Sequence, residues 1–235
     1  MTVIETEAPD EVRDRLCLAL DTDDVVAARR QARDLAPWIG TVKIGPELFA
    51  STGPKAVTAM QDLGLRVFVD LKLHDIPSTV NRTARVLGSL GIDFVTLHAH
   101  GGVEMLRAGV EGAREGAEAA LVHAPTTLAV TVLTSDDTAP DHILAKHVDS
   151  AIAGGCAGLV CAVADVAPAR EMLATLFIAA TGIRADGEPS HDQRRIATAG
   201  AAFAAGADLL VLGRTISEAD DPEATAAALV DSALS

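Results

Sequence analysis

Residues 66–79 read Arg66-Val67-Phe68-Val69-Asp70-Leu71-Lys72-Leu73-His74-Asp75-Ile76-Pro77-Ser78-Thr79, and this stretch begins as a strand and ends in charges. Its first half is β-branched and aromatic, which favours a strand. Alternate residues of a strand face the same side, so we expect Asp70 and Lys72 on one wall of a pocket. Asp75 lies five residues after Asp70, an odd number, so the two would not share a face of a strand. It also lies just before Ile76-Pro77, where a strand should have ended. We therefore expect Asp75 on the following loop, free to face elsewhere, even toward another subunit.

The pairing of Asp70 with Lys72 has two interpretations. A carboxylate beside an ammonium at the end of a buried strand is costly unless the two groups pair or serve chemistry. The pair is therefore either a structural ion pair or part of a catalytic site, and its spacing does not decide between them.

Composition limits the classes of function. The chain has 235 residues, of which 49% are hydrophobic and only 3% aromatic, and its net charge is −14. This balance argues against nucleic acid and against anionic membrane surfaces as partners. An anionic substrate would need a local basic pocket. Only four lysines occur, and two of them, Lys43 and Lys72, fall at predicted strand ends rather than where solubility needs them.

Cysteine usage and the N-terminal residues predict a cytoplasmic protein. Cys17, Cys156 and Cys161 lie in apolar runs at spacings that fit no metal site, as expected of buried thiols in a reducing compartment. Residues 1–14 are acidic and lack the apolar core of a secretory signal, so we expect an extension that can fray. No apolar run reaches membrane-spanning length.

Short apolar runs alternate with Ala-rich segments of helical length. Helices are predicted at Asp23–Ala36, with Thr22 as N-cap, at Pro54–Leu63 and after each later strand, the last of them at Pro222–Leu234. Eight such units in one domain, residues 1–235, predict an α/β fold of the (β/α)8 TIM-barrel type. A doubly wound sheet is the alternative, weakened because no Gly-x-Gly-x-x-Gly follows the first strand. The predicted strands are Leu16–Leu20, Thr41–Ile44, Arg66–Leu71, Asp93–Leu97, Thr127–Leu133, Leu159–Ala162, Leu176–Ala180 and Leu209–Leu212.

Unusual polar residues follow most of these strands, at the end where such barrels place their active sites. The loop after strand seven and the end of strand eight form the usual phosphate site of this fold. Arg184, with backbone N–H groups near Gly213 and Arg214, is predicted to bind a phosphate there, although Arg184 alone could equally be a solvated loop residue. The polar residues at strand ends are Asp21, Lys43, Asp70, Lys72, Asp75, Thr134, Arg184 and Arg214.

A series of motifs in this order resembles the bacterial-type orotidine 5'-phosphate (OMP) decarboxylase family. The resemblance covers about Leu16 to Leu234, and it departs from the family at Thr181, where proline is common, and at His100, where a small residue is usual. The motifs are Leu18-Ala19-Leu20-Asp21, Val42-Lys43-Ile44-Gly45, Asp70-Leu71-Lys72-Leu73-His74-Asp75-Ile76-Pro77, Val130-Thr131-Val132-Leu133-Thr134-Ser135, Gly182-Ile183-Arg184, Asp192-Gln193-Arg194-Arg195 and Leu212-Gly213-Arg214.

The resemblance implies a homodimeric lyase that needs neither cofactor nor metal and forms UMP. Lys72 resembles the proton donor, flanked by Asp70 and by Asp75 of the partner subunit. Lys43 resembles the lysine that orients this array and touches the ribose. The remaining positions resemble substrate ligands: Asp21 and Thr79 for the ribose, Thr79 from across the dimer, Thr134 for the pyrimidine, and Arg184, Gln193, Gly213 and Arg214 for the phosphate.

Two other functions compete with this one. A metal-dependent aldolase or epimerase would use His98 and His100 as ligands, but no acidic partner ligand is evident and His100 falls in a glycine-rich loop. A non-catalytic phosphosugar-binding protein would keep Arg184 and Arg214 yet would have no need of Asp70 and Lys72. Four other histidines are predicted to lie on the surface, namely His123, His142, His147 and His191, whereas His74 is expected to pack.

Overall fold

Eight parallel strands close into a barrel in the computed structural model of the chain. The structure describes residues 7–133, 135, 140, 142–172, 174–184 and 197–234. Each strand pairs in parallel with the next one along the chain, and the eighth pairs with the first. The prediction of a single (β/α)8 barrel is confirmed, and the doubly wound alternative is wrong.

Strands and helices alternate along the barrel. The strands are β1 (Leu16–Leu20), β2 (Thr41–Ile44), β3 (Arg66–Leu73), β4 (Phe94–His98), β5 (Thr126–Val130), β6 (Gly158–Ala162), β7 (Phe177–Thr181) and β8 (Leu209–Leu212). The helices are α1 (Asp10–Arg13), α2 (Val25–Leu35), α3 (Pro46–Thr52), α4 (Lys55–Gln61), α5 (Pro77–Gly88), α6 (Gly102–Ala120), α7 (His142–Ala153), α8 (Val166–Met172), α9 (Ala199–Ala204), α10 (Arg214–Ser217) and α11 (Pro222–Leu234).

Apolar side chains fill two separate layers. The larger layer lies between the strands and the helices, and it includes Leu18, Val69 and Leu97. The smaller layer comes from the alternate strand residues that face the barrel interior. In it the rings of Phe68 and Phe94 are tilted by 59° with their centroids 5.7 Å apart. This packed interior closes the barrel below its mouth.

Several predicted boundaries need correction. Strand β3 continues to Leu73, two residues past its predicted end, and β5 ends at Val130 rather than Leu133. Asp24, not Thr22, caps α2, because its carboxylate accepts from the N–H groups of Val26 and Ala27. Helix α3 was not predicted, since Gly45-Pro46 reads as a stop although proline also favours the first position of a helix.

The N-terminal residues that the structure describes pack onto the barrel. Residues 1–6 of the predicted extension lie outside the described residues. From residue 8 onward the expectation of fraying is not met, because Ala8 and Val12 are buried and Asp10–Arg13 form α1. Among the described residues, no helix is both long and apolar enough to cross a membrane.

Candidate active site

A cavity of about 260 Å³ opens at the carboxyl ends of the strands. The site predicted from sequence falls there because every strand of a parallel barrel points its carboxyl end to the same face. The lining residues that carry polar side chains are Asp21, Lys43, Asp70, Lys72, Thr181, Arg184 and Arg214, and the apolar ones include Ala19, Val130, Leu133, Val160 and Val211.

Four charged side chains on the first three strands form a continuous chain of ion pairs. Nζ of Lys43 lies 3.5 Å from Oδ1 of Asp21 and 3.7 Å from Oδ2 of Asp70. The same Oδ2 accepts a hydrogen bond from Nζ of Lys72 at 2.8 Å. Charges therefore alternate in sign from Asp21 to Lys72 along one wall of the cavity.

Burial and neighbouring charges shift the pKa values of Asp70 and Lys43, the two central members of this series of ion pairs. Burial by itself works to raise the pKa of Asp70, but Lys43 and Lys72 outweigh it and hold that pKa below its usual value. Burial likewise works to lower the pKa of Lys43, and the carboxylates of Asp70 and Asp21 more than compensate and raise it. Both groups are therefore charged at neutral pH.

The backbone at Lys72 is unusual. Its φ of 50° puts a non-glycine residue in the left-handed region. This conformation costs energy, and it persists only where surrounding groups hold it in place. The ladder between β3 and β4 also loses its register between Val69 and Leu73. The N–H of Lys72 donates to Oγ1 of Thr96 at 2.8 Å, and this hydroxyl donates to Oδ1 of Asp70 at 3.0 Å. Thr96 was missed at the sequence level, because a threonine in an apolar strand is an ordinary strand former.

The predicted phosphate ligands that the structure describes follow β7 and β8. Arg184 is only 5% exposed, which excludes a solvated loop arginine. Its Nη1 donates to the carbonyl oxygen of Ile183 at 2.8 Å and to Oγ1 of Thr215 at 3.3 Å. Gly213 and Arg214 line the same cavity, where Arg214 begins α10. The structure therefore brings together the basic groups that an anionic substrate needs in an acidic protein.

Two predicted site residues lie away from this cluster, and two others are not described by the structure. Asp75 is exposed and uses Oδ1 to accept from the N–H of Ile76 at 2.7 Å, and Thr79 is half-buried in the first turn of α5. Neither is among the described residues that line the cavity. Thr134 and Gln193 lie outside the described residues.

Histidines cluster beside the site, near the end of β4. The ring centroid of His74 lies 5.4 Å from that of His98 and 5.8 Å from that of His100, and His100 lies 6.1 Å from His147. His147 is buried, so the prediction that it lies on the surface is wrong. In the part of the chain that the structure describes, no group of three or more His, Cys, Asp or Glu side chains could hold a metal ion.

Comparison with known proteins points to one family. Residues 14–229 match the model of the orotidine 5'-phosphate decarboxylase / HUMPS family. An orotidine 5'-phosphate decarboxylase from Anaeromyxobacter sp. (strain K) is 41% identical over 227 residues, covering 92% of this chain and 96% of the relative. One from Thermobifida fusca (strain YX) is 42% identical over 228 residues, covering 91% and 93%.

A solved structure gives the same result. The crystal structure of orotidine 5'-phosphate decarboxylase from Lactobacillus acidophilus superposes with a TM-score of 0.76 at 29% sequence identity. The match covers 94% of this chain and all of that one.

Proposed function

This chain belongs to the orotidine 5'-phosphate decarboxylase / HUMPS family, and we propose that the ion-pair chain from Asp21 to Lys72 is its catalytic apparatus. The protein is an orotidine-5'-phosphate decarboxylase, and it converts orotidine 5'-phosphate to UMP in pyrimidine synthesis. The observation that carries the proposal is the alternation of charges along one cavity wall, with buried Asp70 between two lysines.

The reaction needs electrostatic stabilisation. When the bond between the pyrimidine ring and the carboxylate breaks, CO2 leaves and the electron pair stays on the ring carbon. That pair lies in the plane of the ring, where no conjugated group can accept it. Positive charge held in place beforehand lowers the barrier, because it needs no reorganisation as the carbanion forms.

Lys72 is the proton donor in this mechanism. Its ammonium stabilises the developing carbanion, and a proton then passes from Nζ to the ring carbon, completing UMP and leaving a neutral amine that solvent reprotonates. Asp70 lies beside the same Nζ, so a substrate carboxylate in this position is repelled before reaction and the repulsion is relieved as CO2 departs. Lys43 holds Asp70 in place and, with Asp21, contacts the ribose.

The phosphate is bound at the opposite side of the cavity. Arg184 and Arg214, with Gln193 and the N–H of Gly213, provide positive charge and donors for the dianion. Binding energy gained here, away from the reacting carbon, positions the ring against Lys72. Thr134 contacts the pyrimidine and contributes to its recognition.

A second subunit completes the site in our proposal. Asp75 and Thr79 follow β3 but are exposed or half-buried outside the cavity, so they are available to the cavity of a partner. Asp75 would add a second carboxylate next to the partner's Lys72, and Thr79 would contact the ribose. We further propose a cytoplasmic location, because the three cysteines are buried thiols rather than disulfides.

Turnover of orotidine 5'-phosphate, without added metal or cofactor, tests the proposal by the fall in ultraviolet absorbance. Lys72→Ala should lower kcat by at least about 10³-fold, because it removes both the stabilising charge and the proton. Lys55→Ala, which removes an exposed lysine of α4, is the matched control and should keep wild-type kcat. Substantial activity in purified, folded Lys72→Ala would remove Lys72 from the mechanism.

A further inference from the structure

We propose that Thr96 is a positioning residue, whose hydroxyl group aligns Asp70 and Lys72 for the reaction. This inference rests on the proposed function of these two groups. Thr96 is wholly buried on β4 and is not among the described residues that line the cavity, so it acts only through its neighbours.

The hydrogen-bond directions at this hydroxyl are fixed by its partners. The backbone N–H of Lys72 can only donate, so Oγ1 of Thr96 accepts from it at 2.8 Å. The hydroxyl hydrogen is then left for the Asp70 carboxylate, whose Oδ1 lies 3.0 Å away. One side chain therefore holds the backbone of the proton donor and the carboxylate beside it.

Lys72 needs such support because its backbone is in the left-handed region, with φ at 50°. The pairing of β3 with β4 is irregular between Val69 and Leu73, so the ladder does not supply a regular strand partner at this residue. The Thr96 hydroxyl takes the place of that partner. Without it the N–H of Lys72 would lose its hydrogen bond, and the residue would relax toward ordinary strand geometry and carry Nζ away from its position.

Asp70 benefits from the same contact. Its two oxygens have separate partners: Thr96 holds Oδ1, and Oδ2 faces both Lys72 at 2.8 Å and Lys43 at 3.7 Å. Fixing Oδ1 sets the rotation of the carboxylate, and this rotation decides whether Oδ2 reaches both ammonium groups. Such alignment matters in the transition state, when the charge on the ring carbon forms.

The experiment compares Thr96→Val with a matched control, Thr41→Val. Both replace a wholly buried strand threonine by its isostere. Within the described part of the chain, Oγ1 of Thr41 has no hydrogen-bond partner. Thr96→Val should lower kcat by roughly 10- to 100-fold, with KM and inhibition by UMP changing by less than about 3-fold. Thr41→Val should keep wild-type kcat, and Thr96→Ser should restore most of the activity.

Thr96→Ala guards against a folding defect in Thr96→Val, because it removes the hydroxyl without placing a methyl group against the carboxylate. It should show the same selective loss of kcat per folded molecule, with the folded fraction taken from UMP binding. Wild-type kcat in folded Thr96→Val or Thr96→Ala, or an equal loss in Thr96→Ser, would overturn the role of Thr96 and leave the proposed function standing. A wild-type protein without turnover of orotidine 5'-phosphate would overturn the proposed function and this inference with it.

Discussion

At the scale of single residues, Asp70 is the centre of the site because two ammonium groups and one hydroxyl group converge on its carboxylate. Lys43 and Lys72 share Oδ2, and Thr96 holds Oδ1. The pKa of Asp70 lies below its ordinary value, so the stabilisation that it provides is complete above pH ~4 and is lost as pH falls through the folded-state pKa. The ion pairs therefore persist across the whole physiological range of pH.

His98 gives stability a second dependence on pH. Burial, followed by the proximity of His74, His147, His100 and Lys72, lowers the pKa of His98 to about 4. As pH falls from ~6.5 toward 4, the unfolded chain takes up this proton before the folded chain does, so stability declines over that interval. The shift corresponds to about 3 kcal/mol for a fully buried group, and we reduce it to about 1 kcal/mol because His98 is half-exposed.

We therefore expect the free energy of unfolding to fall between pH 7.5 and pH 5, and to fall less in His98→Asn. The asparagine side chain does not titrate and can still accept from the N–H of His100, as Nδ1 of His98 does at 3.3 Å. Urea unfolding at the two pH values measures the difference. An equal fall in wild type and variant would contradict this assignment.

Prediction from sequence succeeded for residues whose type conflicts with their surroundings. Asp70 and Lys72 are charges inside an apolar run, and a buried charge requires a reason. Thr96 carries no such conflict, since threonine suits a strand whether or not its hydroxyl is used. The burial of His147 was missed for a different reason: it depends on which face of α7 meets the end of β4, and this is set by packing between distant segments.

At the scale of elements, α5 and α6 pack with their backbones in contact. Three glycines make this possible: a Cβ on Gly88 would overlap the carbonyl oxygen of Ala113, one on Gly112 that of Asn81, and one on Gly116 that of Arg85. Because backbone atoms cannot move away as a flexible side chain can, the spacing of the two helices depends on these glycines. Helix α5 directly follows the loop that carries Asp75.

Gly116→Ala should therefore destabilise the protein by about 1–3 kcal/mol through overpacking, although alanine favours helices over glycine by about 1 kcal/mol. Glu115→Ala, at the exposed neighbouring position of α6, is the matched control and should change stability by less than about 0.5 kcal/mol. Thermal or urea unfolding measures both variants. A Gly116→Ala protein as stable as the wild type would show that α5 and α6 can separate at little cost.

Strand and helix bounds could be predicted where the local sequence marks them clearly. Strand β8 and helix α11 were predicted with the bounds that the structure has, because an unbroken apolar run and an N-terminal proline mark them. Strand β3 was cut short at Leu71, since its continuation to Leu73 depends on pairing with β4 after an irregular step. Such cross-strand pairing leaves no local pattern in the sequence.

At the scale of the whole molecule, an acidic protein with a net charge of −14 places four of its 19 lysine and arginine side chains in one cavity. Lys43, Lys72, Arg184 and Arg214 all line this cavity. They gather there only because strands distant in sequence end at the same face of a closed barrel. The barrel could be predicted from eight apolar runs, and the site followed from the barrel. In our proposal Asp75 comes from a second subunit, and it is the part of the site that one chain does not provide.

Mixing two inactive variants tests whether the site is shared between subunits. Lys72→Ala and Asp75→Asn should each be nearly inactive, yet their heterodimer contains one cavity with both defects and one with neither. Random exchange of subunits at equal amounts should therefore restore about a quarter of wild-type activity, since half of the dimers are mixed and each has one intact site. Lys43→Ala mixed with Lys72→Ala is the control: both lysines line the cavity of their own chain, so every mixed site keeps one defect and activity stays at the level of the single variants. No gain with Asp75→Asn, or an equal gain in the control, would place Asp75 outside the partner's cavity.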